Sequence, residues 1–197
     1  MLAEYGFVWW LDSSVRFKSR DITHALSEAR KHGILYNTHH DVRNTLGIVK
    51  QTDPRTFSFL REDSCKFRPF SEISATTILV HYSNVTWSVI KAWVTCALDK
   101  HCIAPVGTRR KINCNTKDPS DGRCHRFDQS VLGILLRRVN HESDVYSPGT
   151  ALNNAIEIRR NEVVHYFEDC EPIDKCIVWI VPQISQLNKP VQVQLVI

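Results

Sequence analysis

The sequence predicts an α/β fold, a mixed sheet flanked by helices. Three observations predict it. Short apolar runs rich in β-branched and aromatic residues read as strands. Segments with apolar residues every three to four positions read as helices. The two kinds alternate along the chain, which argues for a sheet covered by helices.

Phe7–Leu11 is a continuous apolar run, Phe-Val-Trp-Trp-Leu, that ends at Asp12-Ser13-Ser14. It reads as a strand buried on both faces, as in a parallel sheet. After Ser19-Arg20-Asp21-Ile22, a capping segment, Ala25, Leu26 and Ala29 fall at helical spacing over Thr23–His32, and Gly33 is the stop. Ile34-Leu35-Tyr36 is the next strand. Thr52-Asp53-Pro54 puts a capping residue before a proline at the first helical position and predicts a short helix to about Leu60. Ile73–Tyr82 alternates and is β-branched, hence a strand. Ser83-Asn84 caps a longer helix, whose Val85, Val89, Ala92, Trp93 and Cys96 form one apolar stripe expected to pack on the sheet.

Asp99–Cys124 holds Pro105, Gly107, Pro119 and Gly122 and little periodicity, so it reads as a long loop. It leads into the most strongly patterned helix, with Val131, Leu132, Leu135, Leu136 and Val139 on a buried face and Asp128 at its N-cap or first turn. Ile156–Arg159 and Ile177–Val181 are later strands. Residues 1–182 are expected to form a single domain, and 183–197 a loosely structured tail.

Hydrophobic residues are 43% and charged residues 23% of 197, which excludes collagen, a coiled coil and a disordered tail. A chain of this length can bury roughly two-thirds of its extended surface, so its core requires neither metal nor disulfide. The net charge is +4. Between His101 and Phe127, six cations face two anions, so this one stretch accounts for the whole excess. Such a loop either is solvated or faces an anion such as a diphosphate or sulfated glycan. It lacks the interleaved aromatic platforms that single-stranded nucleic acid would want, so no nucleic-acid partner is expected.

No apolar stretch approaches the roughly 20 residues needed to span a bilayer. Met1-Leu-Ala-Glu-Tyr-Gly6 lacks the cationic and apolar regions of a secretory signal. The chain is therefore expected to be cytosolic or to be missing its targeting end. Cys96/Cys102, Cys114/Cys124 and Cys170/Cys176 are spaced for local disulfides rather than for the paired ligands of zinc, and a seventh cysteine, Cys65, is left over. Cys124 beside His125 also raises a cysteine nucleophile, although catalytic pairs usually come from distant positions.

Three spots combine reactive residue types. Asp12, with Ser13, Ser14 and Arg16, ends an apolar strand, where a carboxylate holds a divalent cation or simply forms a turn. His125, Asp128 and Gln129 open the Leu-rich helix, as a site or as a cap. Glu72 precedes a strand and reads as a solvated loop acid.

Trp10-Leu-Asp-Ser-Ser-Val-Arg-Phe17, Cys96-Ala-Leu-Asp-Lys-His-Cys-Ile-Ala-Pro-Val-Gly107 and Cys124-His-Arg-Phe-Asp-Gln-Ser-Val-Leu-Gly-Ile-Leu-Leu136 together resemble, in order, the motifs of a nematode-rich animal family known as a domain of unknown function. That family is similar to nucleotide-sugar glycosyltransferases of the GT-A type. The resemblance implies a GT-A-like partial domain that transfers a sugar from a nucleotide-diphosphate donor to a glycan or glycoprotein acceptor in the lumen of the secretory pathway, the Golgi. It implies Asp12 as ligand to a divalent metal, manganese or magnesium, on the donor diphosphate, and His125 as a phosphate or metal ligand. Asp128 and Gln129 would contact the transferred sugar as the catalytic pair.

Arg16, Arg109, Arg110 and Lys111 are candidates to stabilise the leaving diphosphate, whose charge grows in the transition state. Two departures stand out. Ser14 occupies the place of the motif's second Asp, and only six residues precede the metal strand, so the chain reads as truncated at its N-terminus. Both point to the alternative of a catalytically inactive scaffold or glycan-binding protein.

Overall fold

The computed structural model describes residues 5–38, 46–108, 114–115, 117–139 and 149–159. They form strands β1 (Phe7–Leu11) and β2 (Val15–Phe17), helix α1 (Thr23–His32), strand β3 (Ile34–Thr38), helix α2 (Pro54–Phe59), a 3-10 turn (Ser64–Phe67), strand β4 (Ile73–His81), helices α3 (Asn84–Ala97), α4 (Lys100–Ile103), α5 (Asp128–Val139) and α6 (Gly149–Ala155), and strand β5 (Ile156–Ile158). The architecture is mixed α/β with small sheets. The chain gathers into two compact units and passes between them at Leu35/Tyr36, Ala75/Thr76, Tyr82/Ser83 and Gly149/Thr150. The expected strand at Ile177–Val181, the Cys170/Cys176 pair, the boundary at residue 182, and Arg109, Arg110 and Lys111 lie outside the described residues.

In the first unit, β1 runs antiparallel to β4, with Phe7 opposite His81 and Leu11 opposite Thr77. Among the described residues the strand order is β1-β4-β3, with β1 at the edge. Phe7, Trp9 and Leu11 pack on a core of Val15, Leu26, Ala29, Leu35, Leu79, Leu152 and Ile156. Val8 and Trp10 point outward, Trp10 57% exposed. This corrects the expectation of a strand buried on both faces in a parallel sheet. A five-residue apolar run carries no periodicity to separate a fully buried strand from an alternating one, and here an antiparallel edge partner decides it. β2 and β5 form a second antiparallel pair, Val15 opposite Ile158. The Asp21 carboxylate accepts from Thr23 N (2.9 Å) at the start of α1, and Gly33 ends that helix at φ +80°, in the left-handed region glycine tolerates.

In the second unit, Ile48, Val49, Phe57, Phe67, Phe70 and Ile134 make a separate core. Asp53 caps α2 as expected, accepting from Arg55 N at 2.9 Å with Pro54 at the first position. Ser83 and Thr86 form a reciprocal capping box on α3. Among the described elements, α3 packs chiefly against the helices α5 and α4. Val89 and Cys96 of the expected stripe are buried, whereas Val85 is 55% exposed. The expected loop after Asp99 contains the short helix α4, which Asp99 caps by accepting from His101 N at 2.8 Å. Disulfides join Cys96 to Cys102 and Cys114 to Cys124. Cys65 is exposed and outside any disulfide.

Candidate functional site

The two polar motifs singled out in the sequence belong to different units, Asp12 to the first and His125, Asp128 and Gln129 to the second.

Asp12 follows directly on β1. Its N–H donates to Thr76 O (2.9 Å) and its carbonyl accepts from Val15 N (2.9 Å), which closes a reverse turn over residues 12–15. The carboxylate lies 3.4 Å from Ser13 Oγ and 3.5 Å from Ser14 Oγ and is exposed. Arg16 folds back on the same turn, its Nη1 donating to Ser13 O (2.5 Å) and Val15 O (2.7 Å). One carboxylate and two hydroxyls fall short of the six to eight oxygens of a calcium-type site or the octahedron of magnesium. Among the described residues, no group of three or more His, Cys, Asp or Glu side chains could hold a metal ion. Asp12 and its two serines alone do not make a closed protein cage for a cation.

The entry of α5 is built differently. The Cys114–Cys124 disulfide anchors the chain just before it. His125 is 1% exposed; its Nδ1 accepts from Asp53 N (3.1 Å) and its Nε2 lies 2.8 Å from Ile103 O. These partners assign the neutral tautomer protonated at Nε2, and burial holds the imidazole below its ordinary pKa. With both ring nitrogens occupied, His125 ties the 50–53 and 100–103 segments to the start of α5, and neither nitrogen is left for a phosphate or metal. Cys124, being in a disulfide, has no thiol to act as a nucleophile.

Phe127 follows at φ +48°, a left-handed conformation for an aromatic residue, a strain of about 1–3 kcal/mol that surrounding structure must hold in place. Its ring meets His125 edge-on at 5.1 Å. Arg126 N donates to Gln51 O (3.2 Å) and to Ser130 Oγ (3.1 Å), and Ser130 Oγ donates to Gln51 O (2.9 Å). This local web fixes the backbone on either side of the strained residue.

Asp128 then opens α5 in its first turn, where the helix dipole favours an acid. Its side chain is exposed, and its carbonyl oxygen accepts the Trp93 indole N–H (3.0 Å). Gln129 is 6% exposed; its Oε1 accepts from Arg126 Nη2 (3.3 Å), while its Nε2 has no partner among the described residues. Gln51 Nε2 and Thr52 Oγ1, equally buried, are also without one. Buried amide donors are nearly always paired in folded proteins, and two of these three atoms are such donors.

Glu72 is the residue that sequence reasoning placed wrongly. It is not a solvated loop acid but fully buried. Oε1 accepts from Ile73 N (3.0 Å), and Oε2 is unpartnered among the described residues. It faces α5 at Gly133, where a Cβ would come within 2.8 Å of Oε1. Desolvation raises its pKa to about 8, against the opposing pull of Ile73 N–H, Arg126 and Arg137, so at neutral pH it is mostly the uncharged acid. Arg137, also buried, lies over the Phe70 ring at 4.6 Å. The available signal was the glycine in mid-helix: a residue that weakens a helix usually marks a close approach, though not by which partner.

Comparison with protein-family models, curated proteins and solved structures found no match for this chain.

Proposed function

We propose that this chain is a sugar-recognising α/β domain of the secretory lumen, with its site at the entry of α5. The observation that carries the reading is the set of groups flanking strained Phe127: the exposed Asp128 carboxylate, the buried Gln129 amide with an unused donor, the Arg126 guanidinium and the Trp93 indole. A sugar offers vicinal hydroxyls that pair with a carboxylate and an amide, and an apolar C–H face that packs on an aromatic ring. Backbone strain beside such groups is how binding sites fix orientation in advance. The two disulfides support an oxidising compartment; the Golgi is the compartment proposed within it.

Sugar transfer from a nucleotide diphosphate is the second reading. It is favoured by Asp128, whose carboxylate has no hydrogen-bond partner among the described residues and is exposed, as a base acting on an acceptor hydroxyl requires. Glycan binding alone is the better supported of the two, because both ring nitrogens of His125 are engaged and the turn at Asp12 offers a diphosphate-bound cation a single carboxylate.

Calorimetric titration separates them. Monosaccharides and oligosaccharides giving saturable heat that is lost in Gln129→Ala are expected. Heat from uridine diphosphate that appears only with manganese would favour transfer. Silence from both kinds of ligand would overturn the site.

A further inference from the structure

Asn84-Val85-Thr86 is the one place in the sequence where Asn stands two residues before Ser or Thr with no intervening proline. That pattern is the acceptor for N-linked glycans on secreted chains, where it occupies the surface. Asn84 is the first residue of α3 and is exposed, and its side-chain amide makes no hydrogen bond to any described residue. Only its backbone carbonyl is engaged, accepting from Ser88 Oγ at 2.8 Å.

The surroundings give a second, independent reason. Val85 is 55% and Trp87 48% exposed at this same end of the helix. Residues three apart on a helix are surface neighbours, which puts Trp87 on the side of α3 that carries Asn84. A sugar ring attached there would lay its C–H face over that indole, covering an aromatic surface that otherwise meets water.

We infer that Asn84 is an N-glycosylation acceptor whose first sugar packs over Trp87. The donor class is an oligosaccharide carried on a lipid pyrophosphate. The Asn84 amide nitrogen Nδ2 attacks the anomeric carbon of the oligosaccharide. The C1–O bond to the pyrophosphate breaks as the C1–N bond forms, Nδ2 loses one proton to a base of the transferring enzyme, and the lipid pyrophosphate leaves with the bonding electron pair. In the folded protein the Thr86 hydroxyl is committed to the capping box, donating to Ser83 O (3.1 Å) and accepting from Ser83 N (2.8 Å). Transfer therefore belongs to the stage before α3 is capped.

The inference rests on the secretory-lumen part of the proposed function, and the test removes that dependence by supplying a leader. The full chain is translated into endoplasmic-reticulum microsomes behind a cleavable secretory leader. One discrete mobility shift is expected that peptide N-glycosidase reverses, that Asn84→Gln abolishes and that Thr86→Ser retains. A chain protected from external protease, and so inside the lumen, yet unshifted overturns the acceptor, as does a shift that survives in Asn84→Gln. Neither result bears on sugar binding at α5, whose failure is read separately in the calorimeter with the glycan removed.

Discussion

The turn at Asp12 and the entry of α5 begin from the same kind of sequence signal, polar and acidic residues adjoining a strongly apolar segment, and the fold uses them in opposite ways. At Asp12 the exposed carboxylate and the two hydroxyls beside it lie within three residues of one another, and the backbone of the turn is held by Thr76 and Arg159. At α5 the partners come from far along the chain: Gln51 and Asp53, Glu72, Trp93 and Ile103. There His125 and Gln129 are buried while the Asp128 carboxylate is exposed, and Gln129 Nε2 has no partner among the described residues. A motif whose side chains meet their neighbours in sequence is a turn first, whereas one whose side chains are also bound by distant residues is where the fold has invested in geometry.

Substitutions sharpen that contrast. The largest effect is expected from His125→Ala, which opens a cavity and strands the Asp53 N–H and the Ile103 carbonyl that the imidazole bridges; a loss of about 2–5 kcal/mol should appear as a lower urea midpoint. Gly133→Ala comes next. Its Cβ would press on Glu72 Oε1 at 2.8 Å and Ile48 Cδ1 at 2.9 Å, an overpacking that costs about 1–3 kcal/mol. If it were neutral, α5 would not lie against Glu72 as described.

The effect of Glu72 is pH-linked. Its folded pKa is raised from 4.5 to about 8, so the folded state holds the proton more tightly than the unfolded chain. Stability from this group is fully present below about 4.5 and declines as the pH rises through about 8. Glu72→Gln keeps an acceptor for Ile73 N–H and should flatten that decline, which thermal melts across the window would reveal. His125 acts on the other side: its pKa is depressed below 6.5, so its contribution is present above that value and is lost as the pH falls. The smallest effect belongs to Asp12→Ala, within about 0.5 kcal/mol, as for an exposed side chain without long-range contacts; a multi-kcal/mol loss would break the comparison.

Much of the local structure was legible in the sequence. The Thr23–His32 helix with its Gly33 stop, the Asp53-Pro54 start of α2, the Ser83 cap and the Asp128 first turn all come from signals within a few residues. The two disulfides among the described residues follow the spacing of their cysteines. What the sequence could not supply depends on tertiary partners. The five residues of β1 do not encode their neighbour, so its antiparallel edge position was hidden. Glu72 resembles any acid before a strand until α5 covers it. His125 looked like a ligand because its type suits one, and only the positions of Asp53 and Ile103 turn it into a structural bridge.

The most direct measurement is sugar binding by two variants in parallel, Gln129→Ala and Asp12→Ala, titrated calorimetrically against a glycan that binds the wild type. Gln129→Ala is expected to abolish the saturable heat and Asp12→Ala to leave the affinity unchanged. Binding that survives in Gln129→Ala and disappears in Asp12→Ala would contradict that expectation and return the site to the turn after β1.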